Sequence, residues 1–181
     1  MDIPLQEERE HGFLDILGIN YAETSITRIY AYFLDSRNSI IISNLFVSTL
    51  FEIILEKSGV VFGSQKFICE TEVRTKEGRS IDLVLLSDDN QEAVIIENKI
   101  NASLYNDLRD YYESVQANKK IGVVLSLTRM AAVPKEYIVI THMEWIRRIA
   151  SKGLPVQLSS RQFIYLNDFI SNMENISGRS E

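Results

Sequence analysis

Asp82, Glu97 and Lys99 are charged residues set in stretches where charge is costly. Ala93 to Ile96 is uniformly apolar, and Glu97-Asn98-Lys99 interrupts it before Ile100. Asp82 interrupts the run Ile81 to Leu86 in the same way. On a strand, residues i and i+2 share a face, so Glu97 and Lys99 point one way and Asn98 the other. A turn at Ser87–Gln91 folds the two stretches together, which lets Asp82 and Glu97 approach across a ladder. Burying an unpaired charge costs on the order of several kcal/mol, so three together require compensation. A divalent cation between the two carboxylates, with the lysine beside it, supplies that compensation. Hard Mg²⁺ or Mn²⁺ takes oxygen ligands, here Asp82, Glu97 and the backbone carbonyl of Asn98, with water or a substrate phosphate completing the shell. Such an ion acidifies a bound water and neutralises charge that builds at a reacting phosphate. Lys99 is placed to position that water and to contact the scissile group.

The elements that must hold these residues follow from hydrophobic period. Phe13, Leu14, Ile16 and Leu17 suggest a short amphipathic turn after an acidic start. Ile26, Ile29, Tyr30 and Phe33 recur at helical spacing and predict a helix over Thr24 to Leu34. Asp35 to Ser39 reads as a loop. A second helix is predicted from about Ser43 to Lys57, closed by Ser58-Gly59. The period then changes. Phe67 to Thr75, Ser80 to Leu86 and Ala93 to Ile100 read as three strands joined by short turns, an antiparallel meander. The latter two are nearly continuous in apolar residues, so they should be central and covered on both faces. A helix over about Leu104 to Ala117 leads to a strand over Ile121 to Leu127, a succession that implies a parallel, right-handed crossover. Tyr137 to Thr141 reads as a fifth strand. Met143 to Ser151 and Ser160 to Asn175 read as closing helices, the latter with Ser159 and Gln162 spaced as a capping box.

Composition bounds the function. The chain has 181 residues, 45% hydrophobic and 24% charged, which fits one globular domain over 1–181 and argues against disorder. Apolar runs such as Ile40-Ile41-Ile42 are too short to span a bilayer, and the first residues lack the pattern of a signal peptide. One cysteine, Cys69, cannot make an internal disulfide or a thiolate zinc site, so a cytoplasmic setting is expected. With only His11 and His142, any metal chemistry must use carboxylates. The net charge of −6 excludes gripping a polyanion by bulk charge, so nucleic acid would be met through a local basic surface or a partner. Lys119-Lys120, Arg147-Arg148 and Arg74 with Lys76 are candidates for such a surface, although each also reads as a solvated face. Cys69 and Trp145 read as packing residues, and His142 as a residue satisfied by a local hydrogen bond. Of Tyr111 and Tyr112, one belongs in a core and one at the surface.

Gly78-Arg79-Ser80-Ile81-Asp82, then fourteen residues, then Glu97-Asn98-Lys99, resembles the PD-(D/E)XK, or restriction-endonuclease-like, nuclease superfamily. Glu23-Thr24-Ser25 with Tyr32-Phe33-Leu34-Asp35 is similar to the opening helix of a prokaryotic branch, and Ile96 to Ala102 resembles that branch closely. Asp107-Leu108 and Tyr111-Tyr112 fall where relatives carry a Gln-Leu and Tyr helix motif, with Asp107 standing where glutamine is usual. The resemblance spans about residues 20–145, with the helices over 143–176 appended. It implies an α/β fold with an αβββαβ core, a mixed central sheet flanked by helices. It implies Mg²⁺-dependent hydrolysis of phosphodiester bonds, with Asp82, Glu97 and Glu23 as metal ligands and Lys99 as the catalytic lysine. Arg79, Tyr111 and Asp107 are candidate substrate contacts. Glu72 lies where relatives often place a glutamate, yet also fits the outer face of a strand. The resemblance implies a DNA endonuclease, with RNA left open, set in restriction or anti-phage defence. Cutting both strands implies a homodimer or a partner protein. The alternative is the same fold serving as a binding or assembly subunit with its site weak or unused.

Overall fold

Local capping sets several of the helix boundaries, and one crowded glycine sets a strand pairing. The computed structural model describes residues 11–100, 107–130 and 132–178. Four helical turns of chain lead in: α1 (Phe13–Ile16) and α2 (Glu23–Leu34). Helix α3 (Ile40–Ser58) starts three residues before the position expected from its apolar face. The reason is Ser39, whose Oγ accepts the Ile42 N–H at 3.4 Å and so fixes the first turn. Gly59 ends α3 in the left-handed region, φ 74°, where a side chain would be strained.

The sheet has five strands in sequential order: β1 (Phe67–Arg74), β2 (Ser80–Ser87), β3 (Glu92–Lys99), β4 (Lys119–Ser126) and β5 (Tyr137–Thr141). The first three form the expected antiparallel meander, and β3, β4 and β5 run parallel. Strand β3 is thus central, which accounts for its apolar run from Ala93 to Ile96. Gly122 in β4 lies opposite Tyr137, and a Cβ there would clash with the tyrosine ring carbons, so the pairing of β4 with β5 favours glycine.

Helix α4 (Leu108–Ser114) lies between β3 and β4. Residues 104–106 of the expected helix lie outside the described residues. Its far end comes three residues early, because Val115 turns extended into the core and Lys120 Nζ donates to the Tyr112 and Val115 carbonyls at 2.6 and 2.7 Å. Helices α5 (His142–Lys152) and α6 (Ser160–Ser177) close the chain, each with a capping box, Thr141 with Glu144 and Ser159 with Gln162.

Two cores sandwich the sheet. On one face Leu83, Leu85, Val94, Ile96, Val123 and Leu125 pack against α2, α3, α5 and α6. Its centre is aromatic: Tyr30 stacks on Trp145 with centroids 5.0 Å apart, and the Trp145 indole N–H donates to Thr49 Oγ1 at 3.1 Å. On the other face Val84, Ala93, Ile95 and Val124 pack under α4 through Leu108, Tyr111 and Val115. The result is a mixed sheet flanked by helices, as the sequence leads one to expect. Among the described residues no helix is long and apolar enough to cross a membrane.

Candidate active site

The two strands that carry the acidic residues lose their regular pairing where those residues begin. Between β2 and β3 the ladder ends at Leu83 opposite Ile96, one pair short of Asp82 and Glu97. Between β1 and β2, Thr71 faces Leu83 and Val73 faces Ile81, with no ladder pair at Glu72 and Asp82. Glu72 adopts φ 54°, a left-handed backbone that a glutamate takes only under constraint. The side chains change face there. Leu83 and Leu85 pack into the first core, whereas Ile81, which a regular strand would align with them, packs into the second together with Val73. This break frees the Asp82 carboxylate to meet β3 end-on: its Oδ2 accepts the Asn98 backbone N–H at 2.8 Å.

Lys99 is the hub. Its Nζ lies 2.8 Å from Glu97 Oε1 and 3.4 Å from Glu23 Oε1, and Asp82 is within its field. Burial works against the charge on Lys99, but the hydrogen bond to Glu97 and the three carboxylates outweigh it and raise the pKa. Glu97 is 1% exposed. For Asp82 burial dominates and raises the pKa, opposed by the Asn98 N–H and Lys99 and reinforced by Glu23 and Glu72. The expected facing of β3 holds: Glu97 and Lys99 pair on one side, and Asn98 points to the other.

Asn98 ties the site to α2. Its Nδ2 donates to Thr27 Oγ1 at 2.8 Å and approaches the Glu23 carbonyl at 3.4 Å, while Thr27 Oγ1 donates to that same carbonyl at 2.8 Å. With α2 so fixed, Glu23 Oε2 accepts the Ile100 N–H at 2.9 Å. The Glu23 carboxylate therefore holds the end of β3 and one flank of Lys99. Thr27 and Arg28, neither singled out from the sequence, line a small cleft of about 120 Å³ with Glu23, Thr24, Glu72 and Asp82. A signal existed for Thr27, four residues after Glu23 and hence on the same helix face. For the backbone of Glu72 there was none.

The other residues singled out differ in their relation to the hub: Tyr111 lies in the field of Glu97, Asp82 and Lys99, and His142 lies against the Lys99 backbone. Arg79 and Asp107 bind each other at 3.3 Å, and Arg79 also reaches Asp110 at 3.5 Å. Asp107 caps α4, accepting the Arg109 and Asp110 N–H groups. Tyr111 is 3% exposed and packs in the second core, its pKa pushed up to about 12 by burial and by Glu97 and Asp82; Tyr112 is the partly exposed member of the pair. His142 is buried, its Nδ1 2.9 Å from the Tyr30 hydroxyl, and burial lowers its pKa to about 3, so the ring is neutral. Cys69 is a buried free thiol.

Among the described residues no three carboxylate, imidazole or thiol side chains converge as a ready-made cation cage. The residues nevertheless fit a hard divalent ion in kind, since Asp82 and Glu97 are carboxylates on adjoining strand ends and the side chains beside Lys99 that could serve as ligands offer oxygen.

A search of curated proteins and one of solved structures found no match. A family model described as the PD-(D/E)XK nuclease superfamily matches residues 11–166, a span that holds the whole sheet, Glu23, Asp82, Glu97 and Lys99. The chain therefore belongs to the PD-(D/E)XK nuclease superfamily.

Proposed function

We propose that the protein is a metal-dependent endonuclease that hydrolyses phosphodiester bonds in DNA. The observation that carries this reading is the grouping of Glu97, Glu23 and Asp82 around Lys99 at the end of a central strand, in a chain of nuclease descent. Asp82 and Glu97 would hold Mg²⁺ or Mn²⁺. When bound, such an ion supplies an acidified water and offsets charge at the scissile phosphate.

The chain's own residues supply the rest. Lys99, an ammonium with three donors, is positioned to orient the attacking water and to bond a non-bridging phosphate oxygen. In hydrolysis the water oxygen bonds to phosphorus, the bond from phosphorus to the leaving sugar oxygen breaks, and that oxygen takes up a proton. Glu23 holds Lys99 and the Ile100 N–H in place, a positioning role, and Asn98 with Thr27 fixes Glu23. Buried Glu97 keeps Lys99 charged.

Double-strand cleavage by one such site per chain favours a homodimer or a partner protein. A cytoplasmic setting in restriction or anti-phage defence is consistent with the superfamily and with the single buried cysteine. The test is cleavage of supercoiled plasmid and of single-stranded DNA with Mg²⁺, Mn²⁺ or EDTA, with Glu97→Ala as control. Nicking that requires the metal and disappears in the variant is the expected result. A folded protein that cuts neither substrate with either metal would favour a binding or assembly role for the fold.

A further inference from the structure

Strands β3, β4 and β5 are parallel, and Lys99, Ser126 and Thr141 lie in one register row at their carboxyl ends. Open α/β sheets bind ligands beyond the carboxyl ends of their strands. With about 4.8 Å between neighbouring strands, Thr141 lies about 10 Å along that row from Lys99. There a groove of about 720 Å³ opens, lined by Leu127, Thr128 and Arg129 after β4 and by Thr141, Met143 and Arg147 at the start of α5.

The charge in this groove is selectively balanced. Arg148 is held by Glu52 and Glu56 at 3.2 and 2.8 Å, and Glu144 is met by Lys57 at 3.1 Å. Arg129 and Arg147 are exposed, and neither has an acidic partner among the described residues. Two uncompensated guanidiniums in a groove of mixed polar and apolar lining, on a chain of net charge −6, form a local anion site of the kind that bulk charge does not provide.

We propose that this groove carries the phosphate backbone of the nucleic-acid substrate past the active site, with Arg129 and Arg147 as its phosphate contacts. The inference rests on the nuclease reading and extends it to how the substrate is held. Each strand of a duplex advances about 3.4 Å per phosphate. A strand with its scissile phosphate at Lys99 therefore reaches the groove within a few nucleotides.

The test is binding of a fluorescent 20-mer, as duplex and as single strand, in EDTA, followed by anisotropy across a salt series. The proteins are the wild type, the double variant Arg129→Ala with Arg147→Ala, the charge reversal Arg147→Glu, and Arg161→Ala. Arg161 is exposed at the far end of α6, sixteen residues and about 24 Å along the helix from Ser177 in the groove wall. The double variant should weaken binding about tenfold and reduce the slope of log K against log salt by about two. Arg147→Glu should weaken binding too, and Arg161→Ala should match the wild type. Equal affinity and slope in the wild type and double variant overturn the proposal, as does a wild type that binds neither DNA form. Groove-dependent binding without metal-dependent cleavage would support the groove and sink the nuclease reading. Cleavage with no groove dependence would do the reverse.

Discussion

Strand β3 carries a glutamate at each end, and the two have opposite surroundings. Glu92, 7% exposed, accepts from the Gly63 and Ser64 backbone N–H groups at 2.8–3.0 Å and from Lys119 Nζ at 2.9 Å. Burial would raise its pKa, but these donors overcome that and hold it at about 2. Glu97, 1% exposed, faces Lys99 at 2.8 Å in a space shared with Glu23 and Asp82. The first carboxylate is fixed mainly by backbone amides, which cannot leave, and so it anchors the segment before β1. The second meets the Lys99 side chain among other carboxylates, an arrangement a substrate phosphate or an ion can enter and rearrange. A buried charge held by amides serves stability, and one held by a crowded lysine is available for chemistry.

The largest way to sharpen that contrast is to remove each charge. Lys99→Ala and Glu97→Ala should each slow plasmid nicking about a thousandfold or more, whereas Glu92→Gln should leave the rate at 25 °C within a few-fold. Full cleavage by Lys99→Ala would break the comparison at its functional end.

Glu92→Ala should cost about 3 kcal/mol of stability in urea unfolding, because it strands two backbone N–H groups and Lys119. The loss should depend on pH. The folded pKa of about 2 lies below the ordinary 4.5, so the Glu92 contribution is complete above pH 4.5 and disappears as pH falls towards 2. Wild type and variant curves should therefore converge in acid, and a gap that stays constant to pH 2 would contradict the assignment.

Thr27→Val removes the acceptor for the Asn98 amide and should lower stability by about 1–2 kcal/mol. It should also reduce cleavage, through loss of the fixed Glu23 position, and Thr27→Ser should restore both. The smallest change in stability is expected at Asp82. Its raised pKa means that the ionised carboxylate is disfavoured by folding, so Asp82→Asn should leave stability unchanged or slightly higher while abolishing cleavage. A clear loss of stability in that variant would place Asp82 with Glu92, among the structural carboxylates.

Much of this was legible in the chain itself. Apolar runs with the period of a strand gave all five strands, and charges interrupting two of them gave Asp82, Glu97 and Lys99, because strand period and burial are local properties of a sequence. The facing of Glu97 and Lys99 against Asn98 follows from the same alternation. Caps account for the misplaced helix ends. Ser39 pulled the start of α3 forward, and Lys120, from the next strand, ended α4 early.

What the tertiary structure decided lies in contacts between segments distant in sequence. Arg79 and Asp107, distant in sequence, meet each other at 3.3 Å, and Tyr111 turns from α4 into the second core. Docking of α2 on Asn98 turns the Glu23 carboxylate to the Ile100 N–H and Lys99. Residue types and strand period determined which groups could do chemistry. Only packing of α2 against the end of β3, with the backbone break at Glu72, determined where their charges meet, since hydrogen bonds across seventy residues leave no periodic trace in the sequence.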